Sequence, residues 1–515
     1  QNTVDMPQQF TLKLGFADEV SDETYLGLTD SDFDDDPYRR YAASQLDEFE
    51  SDHSQVHLDH VISISEGVRV NTKLYWNKFN RSWNKFDGFV ETLVLTDPSL
   101  PYDSITNPYL HLEANVSQVL ETPGSYPDDL GIIRGEIDSD PTLQEELIDV
   151  TDNDRTYGSH GAQVTGHFDV AGDRFDQEIT VGVRYHYDYV ERNHLSKGYL
   201  MQGGQLIYDG STQTLKTDNK DETDAFALYL QDKIFWNAWE VTAGLRYERI
   251  EGESENILNG TKSDNSQSVV MPGLGVFWQY TETIGLLAGV NKGFSPAGPS
   301  SDADPEESVN YEAGVRFHDE ALQLDVIGFY SDYSNLLGRC RVSDSGCVVG
   351  QEFNGGEINI GGVEVTASQI WDLDSGWSVP LSASYTYSKS EFQEGFDSNF
   401  SQWGEVVEGD ELPYLPENIA RVQLGLENDI WLFNVAWKYQ DQMRELPGQD
   451  AISDKSHTDA LSTFDVSLTW NVTNSLLTQL TVDNVLDQEA IVSHRPFGAR
   501  PNKGRSFFGR VKYTF

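Results

Sequence analysis

Basic residues are scarce in this sequence. Lys and Arg number 35 against 85 Asp and Glu, which leaves a formal charge of −50 over 515 residues. Binding to phosphate backbones needs an excess of cations, so nucleic acid is not an expected partner, and a polybasic membrane anchor is excluded too. No stretch reaches the roughly 18 consecutive apolar residues of a transmembrane helix. Cys340 and Cys347 are the only cysteines, too few for a disulfide-built scaffold. The chain opens at Gln1 without a basic-then-apolar leader, so any signal peptide is expected to be already removed or to lie outside this sequence. Enzyme signatures are missing as well: no HExxH, no GxxxxGK[ST] and no GxSxG occurs. The Gly293-Phe-Ser-Pro-Ala-Gly298 stretch has the wrong spacing for a nucleophile elbow, and among so many acids a carboxylate pair carries no information. What is abundant is aromatic: 24 Tyr, 25 Phe and 11 Trp beside 43 Gly. That mixture fits a β-rich envelope protein better than a cytosolic enzyme.

The dominant pattern is period two. Val68, Val70, Thr72, Leu74 and Trp76 alternate with Arg69, Asn71, Lys73 and Tyr75. Val181, Val183, Tyr185, Tyr187 and Tyr189 alternate with Gly182, Arg184, His186 and Asp188. Ala420 to Glu427 and Ser506 to Phe515 repeat the scheme. Successive side chains of a strand point to opposite faces, so each segment has one apolar and one polar face. Roughly 18 such strands are expected. They lie near 9–16, 53–64, 68–79, 156–168, 175–189, 224–236, 239–251, 266–280, 284–293, 308–318, 322–334, 357–372, 377–391, 418–428, 431–443, 462–470, 476–484 and 505–515.

Their connections alternate in length. Short turns such as Ser65-Glu66-Gly67, Asn237-Ala238 and Thr281-Glu282-Thr283 are followed each time by a long one, including 17–52, 80–155, 190–223, 335–356, 392–417 and 485–504. Short turns on one rim and long loops on the other predict an all-β, antiparallel transmembrane barrel. In lipid every backbone polar group must be paired, and a closed sheet achieves that without helices. A soluble propeller would repeat every 40–50 residues or so, and no such repeat occurs. Tandem sandwiches would not explain the alternation of loop lengths. Trp236 and Trp239, Trp371 and Trp377, and Trp278, Trp431 and Trp470 all stand beside short turns. Rings of this kind favour the membrane–water boundary, so the short-turn rim is expected to carry a girdle and to face the periplasm of a Gram-negative outer membrane.

A family resemblance enters with three blocks. Ala225-Phe-Ala-Leu-Tyr-Leu-Gln-Asp-Lys-Ile234 followed by Val241-Thr-Ala-Gly-Leu-Arg-Tyr-Glu248 resembles the mid-barrel hairpin of TonB-dependent outer-membrane receptors. Asn291-Lys-Gly-Phe-Ser-Pro-Ala-Gly-Pro299 with Glu307-Ser-Val-Asn-Tyr-Glu-Ala-Gly-Val-Arg316 is similar to a second landmark. Val482-Asp-Asn-Val-Leu-Asp487 through Gly504-Arg-Ser-Phe-Phe-Gly-Arg-Val-Lys-Tyr-Thr-Phe515 is similar to a third. Leu28-Thr-Asp-Ser-Asp-Phe33 and Asp36-Pro-Tyr-Arg-Arg-Tyr41 resemble the ferric-dicitrate-type branch. The resemblance implies one barrel domain over residues 1–515. Its function would be uptake of an iron chelate, ferric siderophore or ferric-citrate-like, driven by the TonB–ExbB–ExbD complex. It implies no intrinsic cofactor, Fe(III) chelate as cargo, and outer-membrane lipid and lipopolysaccharide as surroundings. Family barrels have about 22 strands and an N-terminal plug preceded by a TonB-contacting box. This sequence shows neither plug nor box, and its first strand aligns best with about the fifth of the family. The expectation is therefore the C-terminal part of a receptor, unable alone to carry out energised uptake. Two readings stand beside it: a self-closed, porin-like passive channel of about 18 strands for small solutes, and an adhesin or other non-transport barrel.

An anionic chelate calls for cationic, fork-shaped donors. The loop candidates are Arg155, Lys216, Lys220, Arg339, Arg341, Arg495 and Arg500. Where ferric-citrate receptors place arginines, this sequence has Lys216 and Lys220, a departure from the pattern. Each candidate has the bland reading of a solubilising loop charge. Cys340 and Cys347 flank a Gly/Ser/Asp turn and are expected to form one local disulfide in an oxidising envelope; the alternatives are free thiols or, with non-CxxC spacing, a redox pair. No metal site is expected. The run Asp30-Ser-Asp-Phe-Asp-Asp-Asp36 places oxygens as a Ca²⁺ loop does, without the Gly and terminal acid of an EF-hand, and reads as a solvated loop, as does Asp302 to Glu307. His53 and His57 share a strand face while His60 takes the other, which argues against a three-histidine site.

Overall fold

In the computed structural model the described residues are 6–90, 93–95, 109–111, 114–340, 350–400, 402–449, 452 and 457–514. Eighteen strands form one sheet. They are β1 (Gln8–Ser21), β2 (Glu48–Ser65), β3 (Val68–Phe89), β4 (Ile148–Val170), β5 (Asp176–Gln202), β6 (Gln205–Trp236), β7 (Trp239–Asn256), β8 (Thr261–Gln279) and β9 (Ile284–Ser295). The second half is β10 (Glu306–His318), β11 (Leu322–Tyr333), β12 (Ile358–Leu373), β13 (Trp377–Phe392), β14 (Asn418–Glu427), β15 (Trp431–Gln440), β16 (Leu461–Thr473), β17 (Leu476–Asp483) and β18 (Ser506–Tyr513). Each is antiparallel to its neighbour in sequence.

Register and parity sort the two faces. Phe10, Leu12, Leu14 and Phe16 of β1, Leu74 and Trp76 of β3, Leu228 and Leu230 of β6 and Leu468 of β16 are exposed, as a lipid-facing wall requires. Their alternating neighbours are polar and line the lumen. The predicted girdle is present. Trp239 stacks on Trp278 at 5.0 Å and Trp431 on Trp470 at 5.3 Å, all beside short turns.

One expectation changes. The segments 80–155 and 190–223 are not simply loops. β3 runs to Phe89 and β4 starts at Ile148, while β5 and β6 meet at a two-residue turn, Gly203-Gly204, with φ of 56° and 75°, the left-handed pair a tight hairpin needs. The hydrophobic alternation fades along these upper stretches because a strand above the bilayer no longer has one face in lipid. Closure bears on the alternative of a self-closed channel. Among the described residues no pairing joins β1 to β18; β1 pairs with β2 and β18 with β17. The self-closed channel is therefore not the arrangement seen.

The long connections are folded. Helices α1 (Asp30–Asp35), α2 (Val116–Glu121) and α3 (Pro127–Arg134) pack with Phe86, Ile148, Met201 and Phe497 into one buried apolar cluster outside the membrane. The Asp30–Asp36 run is thus not simply a solvated loop: residues 30–35 are helical, with Asp32 and Phe33 buried. Thr29 caps α1, and Asp32 is buried against Tyr41 and Arg134. A second cluster, Ile358, Phe392, Phe400, Trp403 and Val406, ties the connections above β11–β13. Loop 22–47 and loop 485–504, which adjoin the two free sheet edges, meet each other. Leu28 and Ala499 exchange backbone hydrogen bonds of 2.9 and 2.7 Å, and Gly27 donates to Phe497 at 2.5 Å.

Candidate functional site

The luminal wall of β2–β6 is built row by row from registered residues. Arg81, Arg155 and Arg192 are direct cross-strand partners on β3, β4 and β5, so three guanidinium groups stand side by side at one height. A tilted strand crosses the hydrocarbon in about 9–11 residues, and counted from the short turns this row lies beyond that span, on the external side. Arg192 pairs with Asp221 and donates to Asn219 at 3.2 Å. Arg155 has only neutral partners: Asn153 at 2.8 Å, His194 Nε2 at 3.3 Å and Tyr157 at 3.4 Å. Arg81 lies 5.8 Å from the Trp83 ring, and its Nε is buried with no hydrogen-bond partner among the described residues.

The row creates a positive field that Asp221 only partly compensates. Burial, joined by the charges of Arg155 and Lys85, pushes His194 down to about 3. It is therefore neutral and can accept from Arg155. Burial raises Tyr157, but the hydrogen bond to Arg155 and the charges of Arg155, Arg81 and Arg192 outweigh it and bring the phenol below its ordinary value. Burial, and then the charges of Arg81 and Arg192, lower Arg155 itself. In a chain of net −50, such a patch is suited to an anion bearing several oxygen acceptors.

Three luminal rows deeper, His57, Tyr75, Gly161 and His186 are successive partners on β2–β5. Gly161 has no side chain between the rings, and a Cβ there would collide with Tyr75 Oη. The phenol therefore reaches across to His186 Nδ1 at 2.5 Å, while Arg184 donates to the same oxygen at 3.0 Å. The other imidazole nitrogen meets Asp188 at 3.1 Å. Tyr229 repeats the device over Gly182, reaching Thr165 at 2.8 Å.

The loop candidates do not converge. Arg155 belongs to the luminal row. Lys216 is held in a buried ion network with Asp87 at 3.0 Å and with Asp149; the network also takes in Lys85, only 1% exposed. Lys220 has the outward parity and pairs with Glu222 at 2.7 Å and Glu191 at 3.9 Å. Arg339 is exposed at the end of a short strand, Leu337–Arg339, that pairs with Glu352–Asn354. Arg500 donates to Tyr25 O at 3.3 Å, and with Arg495 it lies in loop 485–504. Arg341 falls outside the described residues, as does Cys347; Cys340 is disulfide-bonded. His53 and His57 share the luminal face, while His60 stacks on Phe10 outside at 4.1 Å. Arg81 and Arg192 fall within the expected loops 80–155 and 190–223 but are not among the candidates; strand parity together with register singles them out.

Comparison with known proteins agrees with this architecture. The chain is 36% identical over 132 residues to the metal-pseudopaline receptor CntO of Pseudomonas aeruginosa, covering 23% of this chain and 19% of that protein. It is 23% identical over 379 residues to the ferrioxamine B receptor of Salmonella typhimurium, covering 68% and 49%. The matches thus span about half or less of these relatives' length. In structure it is similar to the unliganded ferric citrate transporter FecA, with a TM-score of 0.70, 18% identity and coverage of 99% of this chain and 68% of that one. The siderophore receptor PiuA of Acinetobacter baumannii gives a TM-score of 0.70 at 13% identity, covering 98% and 72%. Residues 7–485 match the family TonB dependent receptor-like, beta-barrel, and the chain belongs to that family of Gram-negative outer-membrane barrels.

Proposed function

We propose that this barrel captures an anionic metal chelate, an iron chelate of siderophore or citrate-like type, for uptake across the outer membrane. The observation that supports this most is the luminal row of Arg81, Arg155 and Arg192, in which two of three guanidinium groups lack an acidic partner among the described residues. Relatives named for metal-pseudopaline, ferrioxamine B and ferric citrate make a metal chelate the natural cargo. In the whole receptor the TonB–ExbB–ExbD complex supplies the energy, and lipid and lipopolysaccharide surround the outward wall. The passive channel is not favoured, because the sheet edges are unpaired among the described residues.

The test is a titration of the purified chain in detergent, read by tryptophan fluorescence, with anionic ferric citrate and cationic ferrioxamine B. Ferric citrate is expected to quench saturably and to bind more weakly as salt rises. Arg155→Gln is expected to cost about tenfold in affinity, the size of one charge-assisted hydrogen bond. Equal or better binding of the cationic chelate would overturn the reading.

A further inference from the structure

We infer that residues 23–28 form a strap that withholds Arg81 from the arginine row in the free protein. The strap holds Trp83 against the Arg81 side chain, and an anion that engages all three guanidinium groups has to lift it. The inference deepens the chelate-uptake reading, as regulation of that same site, and rests on it.

The contacts of the strap with β3 are few and specific. The Tyr25 ring meets the Trp83 ring edge-on at 4.6 Å, and the indole Nε1–H donates to Glu23 O at 3.2 Å. Lys85 Nζ lies 4.2 Å from the centre of the Tyr25 ring. Trp83 stands two residues from Arg81 on β3, so the two side chains share a face. Phe49, its cross-strand partner on β2, packs edge-on against the indole at 5.5 Å. The indole is thereby fixed one row beyond Arg81, 5.8 Å from its guanidinium carbon. That arginine bears the consequence. Its Nε is buried with no hydrogen-bond partner among the described residues, while Arg155 and Arg192 at the same height each donate to neighbours. A buried N–H without an acceptor is unfavourable, so an acceptor brought to Arg81 favours the open arrangement over the closed one.

The strap is anchored on both sides of the contact, so only its middle has to move. Gly27 and Leu28 are pinned by main-chain bonds to Phe497 and Ala499. Thr24 Oγ1 donates to Asp47 at 2.5 Å and accepts from Leu26 N at 2.9 Å. Between these anchors Tyr25 and Trp83 are only half-buried, so parting the two rings exposes little apolar surface. The two arrangements differ in what they offer an anion. Closed, the row presents Arg155 and Arg192, the second shared with Asp221. Open, it presents three guanidinium groups on three adjacent strands. A ligand shifts such an equilibrium only by its differential affinity for the two states. The strap therefore yields to an anion wide enough to bridge the three strands, and stays down for one that reaches Arg155 alone.

The test is a double-mutant cycle between Tyr25 and Arg81, with ferric citrate titrated into the purified chain in detergent. Tyr25→Ala is expected to bind about fivefold more tightly than wild type, the worth of one aromatic pair. Tyr25→Phe keeps the ring and is expected to match wild type. In an Arg81→Gln background, Tyr25→Ala is expected to have no effect, because the strap acts through that guanidinium. Trp83→Phe keeps a ring in place but drops the bond to Glu23 O, and is expected to tighten binding in the same direction; it decides the matter should Tyr25→Ala fail to fold. Saturable binding that is unchanged or weaker in the strap variants, or a gain that persists in Arg81→Gln, overturns this inference and leaves the uptake reading standing. Absence of saturable binding in the wild-type chain and in every variant overturns the two together.

Discussion

Asp47 shows how much one residue can report. It is buried under loop 22–47, where it accepts from Thr24 Oγ1 at 2.5 Å and Phe86 N at 2.7 Å. Burial, only partly offset by those bonds and by the charges of Arg40 and Lys85, pushes its carboxyl up to about 6. A raised folded value means that its contribution is complete below the ordinary carboxylate range and is lost as pH rises through about 6. The external loops should accordingly loosen between about pH 4 and 6, by up to about 3 kcal/mol. Hydrogen exchange at the Phe86 amide would show it, and Asp47→Asn should flatten the profile. At the same scale, Arg155 is recognisable from sequence as a possible ligand contact, whereas its company is not. Arg81 and Arg192 are far from it in sequence, and only the register of β3–β5 makes them neighbours. Lys216 and Lys220 look alike as sequence, yet one neutralises buried Asp87 and Asp149 and the other faces outward.

Elements were legible where lipid imposes a rule. The strands predicted near 68–79, 239–251 and 377–391 all appear, because one face had to be apolar over the bilayer. Their extensions were not legible, since above the membrane a strand is stabilised by its neighbours and by side-chain ion pairs rather than by lipid. The upper parts of β3–β6 show this: Lys85, Asp87, Asp149 and Lys216 carry balanced charges in a buried setting. Lys85→Ala should therefore destabilise this upper hairpin region by about 3–5 kcal/mol, the cost of stranding a buried partner, seen as lost amide protection on β5 while the girdle half stays protected. Gly161→Ala should lower the thermal unfolding midpoint in detergent by an amount equivalent to about 1–3 kcal/mol, since the new methyl would strike Tyr75. An unchanged midpoint would mean that the ring can move aside without loss.

For the molecule as a whole, the Trp rings place the short-turn rim at the membrane surface. Lipids brominated near the headgroup should quench the fluorescence of Trp236, Trp239, Trp278, Trp431 and Trp470 more strongly than lipids brominated at the chain ends. On the far rim His494 joins three connections, contacting Asp30 at 3.2 Å and Glu445 at 2.7 Å. Burial opposes its charge, yet the hydrogen bonds to Asp30 and Glu445 outweigh burial and raise it to about 10. The join is thus complete below about pH 6.5, the free imidazole value, and is lost only as pH rises through about 10. Limited proteolysis of loop 485–504 should stay slow at neutral pH, and should speed up at alkaline pH or in His494→Ala. The contact between loops 22–47 and 485–504 has a mechanical consequence as well. Main-chain bonds between Leu28 and Ala499 rivet the connection after the first strand to the one before the last, so a pull on either is shared by both.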